Sequence, residues 1–289
     1  MFRYLGYVLI VVVAVALTVT IAGMLVAGLA EGVTKRSDVH LTVFDGVGAV
    51  GGHRPHIRAH IEGPGGDRPL GVSRLTIRFD DGWTGWMWIG RGGLAGQNGP
   101  ADLPPGPHRY RVGTHELSRR LDVIGAGTFW IWPKPTPVLW VDAEAVVPPA
   151  PVSGDTDDPP PAWLADVAAA LKTLAATARP VYLVSSDARA YAAARRRLRR
   201  WGVPAGPAFW VIPERPSSRF AGLRAVWPSV RGAVVASAEA AGAIERLGFA
   251  VVRVPPASEA GDADALRRAW QGALERFATP PTLGLAEGR

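Results

Sequence analysis

The sequence predicts three parts: an N-terminal transmembrane helix, an all-β sandwich domain, and an α/β (Rossmannoid) domain with a five-stranded parallel sheet. Three patterns predict them: an uncharged apolar segment, short stretches of alternating apolar and polar residues, and then alternating strands and amphipathic helices. We place the membrane anchor and juxtamembrane segment at 1–38, the sandwich at 39–134, the α/β domain at 136–278 and a disordered tail at 279–289.

The apolar segment from Leu5 to Ala30 predicts a single-pass N-terminal anchor and a membrane location, since about 20 apolar residues cross ~30 Å of hydrocarbon. The alternative is a cleaved signal peptide, with Arg3 as its basic region and Gly28-Leu29-Ala30 before the cleavage point. Signal peptides have apolar regions of only about 7–15 residues, which favours the uncleaved anchor. Arg3 on one side is matched by Lys35 and Arg36 on the other, so the charges leave either orientation open.

Composition narrows the classes of function. The chain has no cysteine, which excludes disulfides, thiol catalysis and Cys-ligated metals. Its net charge is +7, and nearly all of its basic residues are arginines, because lysine occurs only at 35, 134 and 172. This surplus accompanies a composition rich in Ala, Gly and Pro, so we expect no specific nucleic acid as a partner. An anionic or phosphorylated ligand remains open.

Short alternating segments predict the sandwich. Ile57, Ala59 and Ile61 alternate with polar residues, as do Leu75, Ile77 and Phe79, and Asp80-Asp81-Gly82 then turns the chain. Three histidines in this part, at 53, 56 and 60, do not predict a metal site. Residues four apart on a strand lie about 13 Å apart, which is too far to share one ion.

The tryptophans of the sandwich have two interpretations. They fill its core and its contact with the next domain, or they form a face that stacks on carbohydrate or protein. Exposed, coplanar rings would favour a binding face, and buried rings would exclude it. The residues concerned are Trp83, Trp86, Trp88, Trp130 and Trp132.

The α/β domain is organised around one strand, the apolar run from Val138 to Val141. An uninterrupted run of this kind predicts a strand buried on both faces. Asp142 and Glu144 follow it directly, at the carboxyl end of the strand, where open α/β sheets build their sites.

The rest of this domain alternates helices and strands. A second buried strand, Val181–Val184, leads into Ser185-Ser186-Asp187, and Asp187 is placed to cap the next helix. That helix carries five arginines between 195 and 200, which we interpret as a solvated face, with a phosphate- or lipid-binding patch as the alternative. Further strands are predicted at 208–212, 232–236 and 249–254, and a last helix around Trp270.

Residues 136–255 resemble haloacid dehalogenase (HAD) superfamily domains, and more narrowly the lipin/LNS2-like and App1-like phosphatidate phosphatase group. The resemblance rests on the acidic end of the first strand, the hydroxyl residues after the second, the segment from Arg199 to Pro207 (RRWGVPAGP) and the final strand–helix–strand unit.

The resemblance implies roles for particular residues. Asp142 matches the aspartyl nucleophile, Glu144 replaces the aspartate that acts as general acid and base, and Val146 replaces a threonine. Ser185, or Ser186 in a shifted register, matches the phosphate-holding hydroxyl. A magnesium ion (Mg) would be held by Asp142, Glu144 and Glu239, because Ala236-Ser237 stands where the family places its metal-binding aspartates. The candidates for the phosphate-binding cation are arginines 215, 219, 224 and 231.

These substitutions predict a membrane-anchored, catalytically degenerate HAD-like protein without a cofactor, with a binding or scaffolding role. The alternative is an active Mg-dependent phosphatase, acting on a lipid phosphate or another phosphate ester, with Asp155, Asp157 and Asp158 supplying missing ligands. A further alternative makes the tryptophan-rich sandwich the working part, as a carbohydrate- or protein-binding module.

Overall fold

The structure is a computed structural model that describes residues 39–52, 54–63, 72–114, 123–148, 159–211, 220, 227, 229–259 and 263–278. Its strands, in chain order, are β1 His40–Val43, β2 Gly46–Ala49, β3 His56–Glu62, β4 Arg74–Phe79, β5 Thr84–Trp88, β6 Leu94–Asn98, β7 Gly106–Thr114, β8 Ile124–Trp132, β9 Val138–Asp142, β10 Arg179–Val184, β11 Ala208–Trp210, β12 Val230–Val235 and β13 Val251–Arg253. Its helices are α1 Leu164–Ala175, α2 Ala188–Arg200, α3 Ala238–Glu245 and α4 Ala263–Phe277.

Strands β1–β8 form two sheets. One has the order β1-β3-β6 and the other β2-β8-β7-β4-β5. The predicted alternation holds, since Ile57, Ile61, Leu75 and Ile77 are all fully buried between the sheets. The domain departs from an ordinary antiparallel sandwich in one respect: β2 runs parallel to β8, so the larger sheet is mixed. Only Phe44 and Asp45 separate β1 from β2, yet the two strands belong to different sheets. So short a connection does not predict that β2 pairs in parallel with β8.

The α/β domain is a five-stranded parallel sheet in the order β11-β10-β9-β12-β13. Counted from the first strand of the domain this is 3-2-1-4-5, a doubly wound arrangement. Strand β9 is central and fully buried. Leu139 and Val141 pack with α1, α2 and α4 on one face, and Trp140 packs with α3 on the other. The first strand therefore ends at the point where the strand order reverses, which is where such sheets bind ligands.

The prediction of a transmembrane helix, and with it of a membrane location, is corrected. No helix in the described part of the chain is long and apolar enough to cross a membrane. The longest of them, α4, has 15 residues against the roughly 20 required, and it is amphipathic, with Leu266, Trp270, Ala273 and Phe277 facing the core. The apolar segment at 5–30 and the tail at 279–289 lie outside the described residues.

A buried ionic cluster joins the two domains. The Asp45 side chain is only 1% exposed and pairs with Arg195 on α2, with Nε–Oδ2 at 2.9 Å. It also accepts the main-chain N–H of Thr128 on β8 at 2.8 Å and that of Ala208 on β11 at 3.3 Å. Burial is the largest single influence and acts to lower the pKa of Arg195, but the charge and hydrogen bond of Asp45 together with Tyr191 and Tyr110 outweigh it, so the pKa is raised.

Aromatic packing surrounds this cluster. Phe44 stacks on Trp210 at 4.2 Å between ring centroids, and the hydroxyl of buried Tyr191 accepts from Asp45 N–H and donates to the Ala208 carbonyl. The interpretation of residues 195–200 as a solvated face is therefore wrong for Arg195, and also for Arg197, which is buried and donates to the Pro148 carbonyl. The helix turns both side chains inward, where each guanidinium finds an acceptor.

Candidate functional site

Asp142 ends the central strand β9 and begins the short 3-10 helix Ala143–Ala145. Its Oδ1 accepts the N–H of Glu144 at 3.1 Å, and its Oδ2 accepts the N–H of Ala236, just past β12, also at 3.1 Å. The side chain thus connects the ends of two neighbouring strands. Hydrogen bonds of this kind to a carboxylate favour its charged form.

Burial dominates the ionisation of Asp142, which is 7% exposed. It raises the pKa of the carboxyl, and the hydrogen bonds from Ala236, Glu144 and Ser237 only partly oppose it. The pKa of Glu144 is also raised, first by burial and then by the negative charge of Asp142. The charge of Asp142 therefore disfavours the ionisation of Glu144.

A pocket of about 190 Å³ opens beside these two acids at the carboxyl edge of the parallel sheet. Its walls come from the ends of β9, β10 and β12, the start of α3 and the segment after β11. The lining residues are Asp142, Glu144, Leu183, Ser185, Val211, Phe220, Val235, Ser237, Glu239 and Ala240. The predicted site residues Asp142, Glu144, Ser185 and Glu239 are thus brought to one pocket.

The structure distinguishes the two serines after β10. Ser185 lines the pocket, whereas Ser186 is turned aside, with its hydroxyl bonded to the Asp187 carbonyl and its own carbonyl accepting from Trp210. Ser237 was not among the predicted site residues. It lines the pocket and caps α3 by accepting the N–H of Ala240. Its position immediately after a buried strand is the sequence signal that could have identified it.

The predicted magnesium ligands share the pocket without forming a metal centre. Among the described residues, no group of three or more His, Asp or Glu side chains is arranged to hold a metal ion. Both oxygens of Asp142 accept main-chain hydrogen bonds, although each keeps a second lone pair, and Mg²⁺ demands near-ideal octahedral oxygen coordination. Beyond Asp142, Glu144 and Glu239, the pocket lining in the described residues supplies no further carboxylate for such coordination. Asp155, Asp157 and Asp158 lie outside the described residues.

The pocket is acidic. Within the part of the chain that the structure describes, its lining includes three carboxylates and no arginine, lysine or histidine. Of the arginines proposed as the phosphate-binding cation, Arg231 lies near the start of β12, at the opposite edge of the sheet from the pocket. The other three, at 215, 219 and 224, lie outside the described residues.

Sequence reasoning missed the Asp45–Arg195 cluster entirely. Asp45 precedes Gly46 in a pair that is typical of a turn, and its partner is 150 residues away. Nothing in the local pattern around either residue indicates the pairing.

The tryptophans divide into two groups. Trp83 packs edge-on against Phe79 beside the sandwich core, and Trp130 and Trp132 pack against the α/β domain, where Trp132 meets Trp227. Trp86 and Trp88 are exposed on β5. Of the histidines, His56 bonds to Asn98 and His60 to the Gly92 carbonyl, and His53 lies outside the described residues.

No family model matches the chain, and a search of curated proteins finds no significant match. The resemblance to HAD domains accordingly stays a prediction.

Proposed function

We propose that this chain is a binding or scaffolding protein on a HAD-like α/β fold whose strand-end acids no longer form a phosphatase centre. The observation that carries the proposal is the set of groups around the pocket. Three carboxylates line it, no group of three or more such side chains among the described residues is arranged to hold a metal ion, and no cationic side chain accompanies them there. A phosphate ester entering such a pocket would meet the negative charge of these carboxylates.

The hydrogen bonds of Asp142 support the same proposal. Its carboxylate holds the ends of β9 and β12 together through two main-chain N–H groups. Burial also raises the pKa of this carboxyl, which acts against the ionised form that a nucleophilic oxygen needs. We therefore assign Asp142 a structural role at the strand ends.

The joint between the domains fits a scaffold. Asp45, Arg195, Thr128 and Ala208 form a buried network that fixes the sandwich against the α/β domain. Buried polar networks in which every group is satisfied make a structure more rigid. A partner that contacts both domains would then meet one preformed surface.

Phosphate release by the full chain tests the proposal, with phosphatidate and an aryl phosphate as substrates and Mg²⁺ present. We expect the wild type and Asp142→Asn to release phosphate at the same background rate. Ser186→Ala, a change outside the pocket, serves as the matched control. Mg²⁺-dependent turnover that Asp142→Asn abolishes and Ser186→Ala retains would establish the alternative, a working aspartyl phosphatase.

A further inference from the structure

The outer face of the larger sheet of the sandwich collects arginine and tryptophan. Strand register places Trp88 beside Arg74, Thr84 beside Arg78, and Arg78 beside Arg111. The alternate residues of these strands, such as Ile77 and Val112, face the core. We call the outward set the arginine–tryptophan face; its members are Arg74, Arg78, Trp86, Trp88, Arg109 and Arg111.

The two tryptophans on this face are open to solvent. Trp86 is 48% exposed and Trp88 is 58% exposed, although each ring could bury a large apolar area. Their centroids lie 5.3 Å apart with the rings at 83°, and the Arg74 guanidinium lies within 6.0 Å of both. Strand β5 is the last strand of the sheet, so the rings stand at its edge.

The charges on this face are unbalanced. Arg78 and Arg111 stand directly opposite each other on neighbouring strands, an arrangement of like charges that destabilises a sheet. The outward positions of β4, β5, β7 and β8 hold no carboxylate. In the part of the chain that the structure describes, Arg78, Arg109 and Arg111 form no ion pair. Asp80 and Asp81 lie in the β4–β5 turn, and the β7–β8 connection contains Glu116 and Asp122, which lie outside the described residues.

Positive charge continues from this face toward the joint between the domains. Arg109 is close enough to Arg199 on α2 to affect its ionisation: burial lowers the pKa of Arg199, and the charges of Arg195 and Arg109 act in the same direction.

The outer surface forms a low strip between Trp86 on β5 and Ile124 on β8, because the small residues Thr76 and Gly113 lie between these two larger side chains. These four residues span three strand spacings, about 14 Å.

We propose that the arginine–tryptophan face binds single-stranded nucleic acid without sequence preference. Charge complementarity selects a polyanion, and four arginines on two adjacent strands would contact its phosphates. Exposed tryptophans supply the π-faces on which unpaired bases stack, which is the mode of recognition that sheets and grooves with aromatic side chains use for single strands. The low strip over Thr76 and Gly113 leaves space for the sugar–phosphate backbone.

The ring geometry favours this occupant over an acidic polysaccharide. A run of sugars packs along coplanar rings, whereas Trp86 and Trp88 stand at 83° to each other. Bases rotate independently about their backbone and stack one at a time. A duplex is disfavoured because its bases are already stacked on one another and present only their edges in the grooves.

Fluorescence anisotropy tests the proposal with the full chain and a labelled single-stranded oligonucleotide of about 20 nucleotides, longer than a typical site of ~4–16. We expect binding that weakens steeply between about 50 and 200 mM salt. Trp86→Ala/Trp88→Ala should weaken it at least about tenfold, given ~1–3 kcal/mol per stacked base. Arg78→Ala/Arg111→Ala should weaken it and flatten the salt dependence, while Arg253→Ala, an exposed arginine on β13, should change neither.

Three results would overturn the proposal. One is no binding at low salt. Another is binding that Trp86→Ala/Trp88→Ala leaves unchanged, which would reduce the interaction to charge alone. The third is tryptophan-dependent binding of heparin by a chain that does not bind the oligonucleotide, which would assign the face to an acidic polysaccharide. Trp88→Ala alone, at the more exposed ring, gives an independent reading should the double variant melt early.

Discussion

Asp45→Ala is the sharpest test of how the two domains are held together. The substitution leaves the Arg195 guanidinium, with a side chain only 13% exposed, without its carboxylate. Breaking a buried ion pair on one side costs about 3–5 kcal/mol. The N–H groups of Thr128 and Ala208 also lose their acceptor, at about 1–3 kcal/mol each. Since these groups are neighbours the terms do not add fully, and we expect a loss of about 4–6 kcal/mol.

Urea unfolding of the full chain measures this loss, with Asp166→Ala as the matched control. Asp166 also pairs with an arginine, Arg267 at 2.9 Å, but both side chains are about half exposed. A surface pair of this kind contributes only about 0–1 kcal/mol. Arg195→Met added to Asp45→Ala should restore part of the loss, because it removes the unpaired charge. If Asp45→Ala cost no more than Asp166→Ala, the buried cluster could not be what joins the domains.

Three further predictions concern single sites. Glu144→Gln should become more stable than the wild type as the pH rises. The pKa of Glu144 is raised above its usual 4.5, so the stability that its protonated form contributes is fully present below 4.5 and is lost as the pH rises through the folded pKa. Glutamine does not titrate and keeps its stability. Thermal melts of both proteins from acid to neutral pH check this, and a gap that narrows with rising pH would contradict it. Gly127→Ala should destabilise the sandwich by about 1–3 kcal/mol, because its Cβ would lie 2.5 Å from Tyr110 Cζ; an unchanged denaturation midpoint would show that Tyr110 moves freely. Asp187→Ala should cost about 1 kcal/mol by removing the cap on Ala190 N–H at the start of α2, and Asp187→Ser should recover most of it in the same urea experiment.

Local sequence patterns predict the α/β domain well. The apolar run that precedes Asp142 forms the central strand, and Asp187, the predicted cap, begins helix α2. Because parallel strands end at one edge of a sheet, placing Asp142 and Ser185 in one pocket needed only their order along the chain. Strand–helix alternation is a local property, and its consequence for the sheet is general.

Interactions between distant segments were not predictable in this way. The parallel pairing of β2 with β8 and the Asp45–Arg195 ion pair depend on how the domains pack, which no local period encodes. Trp132 is buried and Trp88 is exposed, although both lie in apolar, strand-like sequence. They differ because the α/β domain covers Trp132. Arg78 and Arg111 are far apart along the sequence, and the sheet register brings them side by side.

The most direct test of the proposed function is the melting temperature of the full chain with increasing Mg²⁺. A metal site at Asp142, Glu144 and Glu239 would stabilise the folded protein by about 2.7 kcal/mol when Mg²⁺ is at a hundredfold excess over its Kd. We predict that any effect of Mg²⁺ on the melting temperature is the same in the wild type and in Asp142→Asn. A rise in melting temperature that saturates with Mg²⁺ and disappears in Asp142→Asn would contradict the account and restore a metal-dependent centre at this strand end.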